Sequence, residues 1–375
     1  MTTLWDPLRE MAKLQGKIAV VTGGRKDLSE ANSQLARSSG IGLEIVGFLA
    51  RKGAKVYCTT RSENKAKRAR DVLRAKYPEI DQEKIKWVLL DLSDLRSITD
   101  AADELKSNET KLDILSILQG ATPLILQYAP NTIDSLVNNA AAATMSHSLV
   151  AGRWEWHMAV NFIGPFLFVN RVLPLLKNAT NDSNSNPDVR IVTLSSIAHA
   201  NMLPHNFEFH FDSPSCLANP VVSYPWQWRY IGRFIFGFDM IRYAASKAAV
   251  VMFAKGLQSR LDAGGLPILS LSVHPGEVAT EGVMAINNVF IKTIARLTFL
   301  TSQQGAATPL FAATASKIKQ NQNIYGGKFL TPYGKIQAPH PVVEDAQQLQ
   351  GLWEHTTKEV NEQLMALGIP PLDRW

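Results

Sequence analysis

Tyr243 and Lys247 lie four residues apart, a spacing that puts both side chains on one face of a helix. A free tyrosine, with a pKa of about 10, is a poor proton donor or acceptor at neutral pH, and a neighbouring ammonium lowers that pKa by favouring the phenolate. Ser195 and Ser196 close an apolar run at Val189–Ser195, offering a hydroxyl that could hold a carbonyl or alcohol oxygen beside the tyrosine. Asn161 stands in the run Val160-Asn161-Phe162-Ile163-Gly164-Pro165. A polar residue among apolar ones must find partners, either in proton transfer or as a packing amide before Pro165. The chemistry these residues support is proton transfer to or from a substrate oxygen.

A second group of residues suits a dinucleotide. Gly23 and Gly24 end one apolar run, and Ser38-Ser39-Gly40-Ile41-Gly42 opens a helical pattern. Glycines there let a pyrophosphate approach the free N–H groups at a helix N-terminus. Thr59, Thr60 and Arg61 stand where an NAD-binding chain usually places an acid for the ribose hydroxyls. The Arg61 fork suits a 2′-phosphate, which favours NADP(H) and leaves NAD(H) open, the alternative being a solvated surface charge. Asp91 and Leu92 either hold and pack an adenine or act as turn and cap residues. Asn138-Asn139-Ala140 is expected at the same sheet edge.

The elements that must position these groups follow a rhythm of short apolar run, turn and helical period, the signature of a parallel sheet wound with helices. The expected strands are Ile18–Thr22, Lys55–Thr59, Ile85–Leu90, Ser135–Val137, Val189–Ser195, Ile268–Val273 and a weak Lys328–Leu330. The expected helices are Ile41–Gly53, Lys65–Lys76, Ser97–Lys106, Glu155–Leu176 and Tyr243–Leu261. The fold class is therefore α/β, a doubly wound parallel sheet of about seven strands with helices on both faces, in one domain. It spans 17–335, between an N-terminal extension (1–16) and a C-terminal extension (336–375).

Three segments interrupt the rhythm, near 25–37, 116–132 and 200–242. The third carries Trp226, Trp228, Tyr230, Phe234, Phe236 and Phe238, suited either to an apolar pocket wall or to the core packing of an extra helix.

Composition removes other classes. Of 375 residues, 46% are apolar and 19% charged, as in folded globular chains. Two cysteines, Cys58 and Cys216, are too few for a disulfide framework or a four-cysteine zinc site, and no metal site is expected. The net charge of +6 is scattered apart from Lys65, Lys67, Arg68 and Arg70, unlike a nucleic-acid footprint. Residues 1–15 carry Asp6, Arg9, Glu10 and Lys13 and read as neither secretory signal nor transit peptide. A cytoplasmic protein is expected, with peripheral membrane contact through Ile231–Ile241 or Val289–Leu300 left open.

Together, TGG…SSGIG, Asp91-Leu92, Asn138–Ala140, Asn161, Ser196, Tyr243-x-x-x-Lys247 and His274-Pro275-Gly276 resemble the short-chain dehydrogenase/reductase family over about Lys17 to Leu330. The segments Thr59–Ala69 and Ser302–Thr314 look like its retinol-dehydrogenase-like, NADP-preferring members, and the tail at Gly327–Glu362 is fungal in style. The resemblance implies a catalytic tetrad of Asn161, Ser196, Tyr243 and Lys247. Tyr243 would be the general acid or base, Ser196 would orient the substrate oxygen, and Asn161 would hold a water in a proton relay. Lys247 would lower the tyrosine pKa and bind the nicotinamide ribose. The implied cofactor residues are Gly23, Ser39, Ile41, Gly42, Arg61, Asp91, Leu92, Asn138, Tyr243, Lys247, Pro275, Gly276, Val278 and Thr280. A hydrophobic small-molecule substrate is implied, such as a terpenoid or polyketide intermediate of fungal secondary metabolism. Pairing of two copies through the long helices near Glu155 and Tyr243 is also implied.

The chain departs from the family pattern where Arg25–Arg37 splits the phosphate turn, whose ends must then meet. It departs again where Lys111–Leu115 already reads as the start of the fourth strand. Two rival readings remain from the sequence, a catalytically silent Rossmann-fold binding protein and a membrane-peripheral retinoid or lipid reductase.

Overall fold

The sheet is registered by one buried acid. Asp113 accepts hydrogen bonds from Lys17 Nζ at 2.7 Å and from the Ile18 amide at 3.0 Å, and its own backbone bonds to Ile18 and Arg190. Chain entry into the sheet is thereby fixed one residue later. The computed structural model describes residues 5–23, 40–118, 149–181, 187–203, 207–224, 239–278 and 299–375.

The strands of the main sheet are β1 (Ile18–Val21), β2 (Lys55–Thr60), β3 (Ile85–Leu89), β4 (Ile114–Ile117), β5 (Val189–Leu194), β6 (Ile268–Val273), β7 (Phe329–Thr331) and β8 (Lys335–Ile336). Their order is β8-β7-β6-β5-β4-β1-β2-β3, and all neighbours are parallel except the β7–β8 pair. The switch in strand order falls at β1 and β4, where open α/β sheets bind ligands beyond their carboxyl ends. The sheet is thus one strand wider than expected, because Gly334, with φ of +78°, turns the chain back on β7.

The helices are α1 (Ile41–Arg51), α2 (Glu63–Lys76), α3 (Leu95–Asn108), α4 (Gly164–Thr180), α5 (Met240–Ala263), α6 (Ser302–Thr314) and α7 (Ala346–Ala366). One apolar core joins the sheet to α3, α4 and α5, and α7 adds Leu352, Trp353, Val360 and Leu364 to it. A second core on the opposite face joins the sheet to α1, α2 and α6, with Met11 and Leu14 from the N-terminal end. This is the doubly wound arrangement, and both chain ends pack into it.

The fourth strand is corrected. Residues 135–137 lie outside the described residues, and Ile114–Ile117 fills the place between β1 and β5. The physical reason is Asp113: with its carboxylate and amide committed to the start of β1, the apolar run that directly follows it pairs first. Asn138 therefore does not directly continue the strand seated in the sheet, and it too lies outside the described residues.

Among the described residues one helical stretch, Trp156–Thr180, is long and apolar enough to cross a membrane. In this fold it packs against α3 and α5, and 89% of its most apolar window is buried.

Candidate active site

Every group in the proposed tetrad is described, and all four come from elements that meet at the carboxyl edge of β5 and β6. Tyr243 and Lys247 lie near the start of α5, whose N-terminus is capped by Asp239 accepting from the Arg242 amide at 3.1 Å. The Lys247 ammonium lies 5.5 Å from the centre of the Tyr243 ring and donates to the Leu194 carbonyl at the end of β5 at 3.0 Å. Ser195 closes the connection from the other side by donating to the Lys247 carbonyl at 2.8 Å. The helix and the strand end are thereby fixed to each other on both sides of the lysine.

Ser196 follows directly. Its hydroxyl is hydrogen-bonded to the Tyr243 phenol and accepts from the Ala198 amide at 3.2 Å. Its carbonyl is held by the amide and ring Nδ1 of His199. With backbone and hydroxyl both restrained, Ser196 and Tyr243 present two hydroxyls to one point, the arrangement a single substrate oxygen requires.

Asn161 sits in a π-helical turn, Ala159–Ile163, that interrupts an otherwise α-helical run into α4. Such turns re-aim side chains and recur at functional sites. Asn161 is buried and donates to Ser246 Oγ at 2.9 Å, and Ser246 donates to the Tyr243 carbonyl at 2.7 Å. The amide thus reaches the tyrosine through a serine that the sequence does not single out. Both sequence alternatives for Asn161 are partly realised, since it is packed in the core and connected to the site.

Burial sets the electrostatics of the pair. Burial pushes the Tyr243 phenol up, against the pull of the Ser196 hydrogen bond and with help from Glu277, to about 12. Burial likewise pulls the Lys247 ammonium down to about 7. Two groups taken out of water each move toward neutrality. At neutral pH the phenol carries its proton and is set to act as an acid.

Four further residues surround the tetrad, and three of them, His157, Glu155 and His199, are absent from the sequence reading of the site. His157 stacks edge-on to Tyr243 with ring centres 6.3 Å apart, and Glu155 fixes it through a 2.9 Å bond to Nδ1. His199 braces Ser196 and packs edge-on to Phe329 of β7. His274 lies near Lys247 and His199, and burial, with those two neighbours, draws it down to about 4. The available signal was spacing: His157 is four residues before Asn161, and His199 three after Ser196.

The described part of the dinucleotide cradle fits an extended phosphate ligand. Gly23 has φ of +76°, and a Cβ there would lie 2.5 Å from the Leu118 carbonyl. A Cβ on Gly42 would lie 2.8 Å from the Gly23 carbonyl. Only glycine fits either position, and this contact brings together the described residues on either side of 24–39. Gly40 caps α1 without a side-chain bond, which leaves helix N–H groups for a phosphate. Ile41 opens α1 beside Gly305 of α6, and Val278 packs on the same glycine. Val278 bridges to Leu300, and Gly276 (φ +93°) leaves no room for a Cβ beside the Leu300 side chain. The loop from His274 through Pro275 is thus brought to the N-terminus of α1.

Arg61 is exposed at the end of β2 and has no ion-pair partner among the described residues. Asp91 spends one carboxylate oxygen on the Ser93 amide at 2.9 Å and hydroxyl at 2.7 Å, the turn role. Leu92 presents its carbonyl to α4, where a Cβ on Gly164 would lie 2.1 Å away. Ser39, Asn138 and Thr280 lie outside the described residues, as do 225–238 and most of Val289–Leu300. Among the described residues no group of three metal-ligating side chains occurs.

Known proteins place this arrangement. A family model for short chain dehydrogenases matches residues 35–127. The chain is 36% identical over 95% of its length to short chain dehydrogenase/reductase dpchH of Colletotrichum higginsianum, covering 77% of that protein. It is 34% identical over 99% of its length to dpfgH of Gibberella zeae, covering 88% of it. Mouse retinol dehydrogenase 12 is 29% identical over 82% of this chain and 76% of its own. The fold is shared with NADPH bound carbonyl reductase from chicken fatty liver at a TM-score of 0.53, 21% identity and coverage of 90% and 100%. The chain belongs to the short chain dehydrogenase/reductase family and is an oxidoreductase acting on CH–OH groups.

Proposed function

We propose that this protein interconverts a ketone or aldehyde and an alcohol on a hydrophobic small molecule, with NADP(H) preferred to NAD(H). The observation that carries the reading is the paired hydroxyls of Ser196 and Tyr243, backed by Lys247 on the same helix face and set at the sheet edge that also bears the glycine cradle. The preference for the phosphorylated cofactor is supported by Arg61, exposed at the end of β2 and without an acidic partner among the described residues.

In the reducing direction, Ser196 holds the carbonyl oxygen and Tyr243 gives it a proton. The bound nicotinamide supplies the hydride chemistry. Lys247 stands where its ammonium favours the phenolate that Tyr243 becomes after giving up its proton. Asn161 acts through Ser246 on the Tyr243 backbone and so keeps the phenol aimed. In the oxidising direction the phenolate is the base, and turnover is expected to rise with pH toward 12.

A hydrophobic substrate is supported by the apolar sequence of 226–238 and 289–300. A terpenoid or polyketide intermediate of fungal secondary metabolism is the substrate class we favour, on the strength of fungal relatives. The test is a panel of apolar ketones and secondary alcohols assayed by NADPH absorbance, with Tyr243→Phe as control. NADPH oxidation that requires both a carbonyl substrate and Tyr243 supports the reading. Turnover unchanged in the Tyr243→Phe protein refutes it.

A further inference from the structure

Beside Tyr243 lies a buried pair, Glu155 and His157. Leu149–Val150 and Trp154–Glu155 form a short antiparallel ribbon, and the Glu155 amide is tied to the Leu217 carbonyl at 2.8 Å. One carboxylate oxygen of Glu155 accepts from the Met158 amide at 3.0 Å and so caps the helical turn that leads through Asn161 toward α4. A cap needs only that one oxygen. The other accepts from His157 Nδ1 at 2.9 Å.

Burial by itself favours the protonated carboxyl, yet the bond and charge of His157, the Met158 amide and the nearby Arg242 hold Glu155 below the ordinary carboxylate range. An ionised carboxylate only accepts, so Nδ1 carries the hydrogen and the imidazole is fixed in both rotation and tautomer. Trp156 meets this ring edge-on with centres 5.5 Å apart. The same ring meets Tyr243 at 6.3 Å and 78°. The Ser196 bond restrains the phenol oxygen of Tyr243, but a bond at one atom leaves the ring free to tilt about it. An edge-on neighbour that cannot itself rotate removes that freedom.

We propose that His157, oriented by Glu155, is a positioning residue whose ring sets the tilt at which the Tyr243 phenol meets the substrate oxygen. This role rests on the reading of Tyr243 as the acid. The pair does so without touching the substrate, and through Leu217 it ties the 207–224 segment to the geometry of proton transfer.

His157→Asn keeps a donor for Glu155, because its side-chain amide replaces Nδ1, and takes the ring away from Tyr243. Its kcat is expected to fall about tenfold to a hundredfold, as for a misplaced reacting group, with KM for an apolar ketone and the NADPH Kd within about threefold of the natural values. A purely structural role would loosen the whole site, so KM and Kd rising along with the fall in kcat would overturn the proposal. An unchanged kcat beside an inactive Tyr243→Phe protein overturns this proposal alone, whereas turnover retained by Tyr243→Phe overturns the acid reading with it. Where His157→Asn does not fold, Glu155→Gln combined with His157→Leu takes its place. That variant keeps the cap acceptor and strands no charge while removing the ring, and the same outcomes apply.

Discussion

Replacing Lys247 by methionine should make the protein more stable at pH 7 while abolishing its activity. The ammonium is 2% exposed and donates to the Leu194 carbonyl, and burial draws its pKa from 10.5 to about 7. At ~1.4 kcal/mol per unit, keeping this group inside costs about 4 kcal/mol at pH 7. Methionine has a similar volume and carries no charge, but it leaves the Leu194 carbonyl without its donor, a loss of about 1–3 kcal/mol. The net gain is about 1–3 kcal/mol.

The sign depends on pH. Between about 7 and 10.5 the unfolded lysine binds a proton that the folded one has lost, so stability of the natural chain rises with pH through that window. By pH 10 the penalty has fallen to about 1 kcal/mol, and the methionine variant should be no more stable than the natural protein. Urea unfolding of both proteins at pH 7 and pH 10 measures the two differences. A variant destabilised by the same margin at both pH values would refute the reasoning, because the lysine would then cost the fold nothing by being buried.

Other perturbations separate the parts of the site. Gly42→Ala should weaken dinucleotide binding at least tenfold, since its Cβ meets the Gly23 carbonyl at 2.8 Å. Isothermal titration reads this directly, and unchanged affinity would show that the cradle is not the phosphate site. Arg61→Asp should weaken NADPH by about tenfold or more and NADH far less, as expected for loss of a charge-assisted phosphate contact. Equal weakening of both would remove the argument for the 2′-phosphate. Flotation with anionic and neutral vesicles should leave the protein at the bottom of the gradient, because the one described helical stretch long and apolar enough to cross a membrane is spent on the core. Flotation with either would revive a membrane-peripheral reductase.

Much of this architecture was legible in the residues, for physical reasons that also explain the gaps. Buried parallel strands read as continuous apolar runs, so β1, β2, β3, β5 and β6 fell within a residue of their expected ends. The fourth strand shows the limit. Both 114–117 and 135–137 satisfy the same pattern, and only the buried bonds of Asp113 to Lys17 and Ile18 select the first. Helix α6 carries a readable start signal, the capping box of Thr301 and Gln304. Helix α7 repeats Leu352, Thr356, Val360 and Leu364 every four residues. Such periodicity reveals a helix but not what it will cover.

At the site, Tyr243, Lys247, Ser196 and Asn161 were found by type and spacing, and the structure brings them together. What spacing does not encode is burial. The core drives the phenol up and the ammonium down, which residue type and spacing alone do not show. Asp91 is a similar case, since a carboxylate at a strand end serves a turn as readily as a ligand, and its bonds to Ser93 show the turn.

The central claim is that the glycine cradle still takes a nicotinamide dinucleotide although residues 24–39 stand between Gly23 and Gly40 in the sequence. Fluorescence titration of the purified 375-residue protein with NADPH and NADH, beside a version lacking Arg25–Arg37, tests it directly. The meeting of Gly23 with Gly42 predicts saturable binding by the full chain, tighter for NADPH than for NADH. Binding by the shortened protein alone would contradict the account and would mean that residues 24–39 close the cradle.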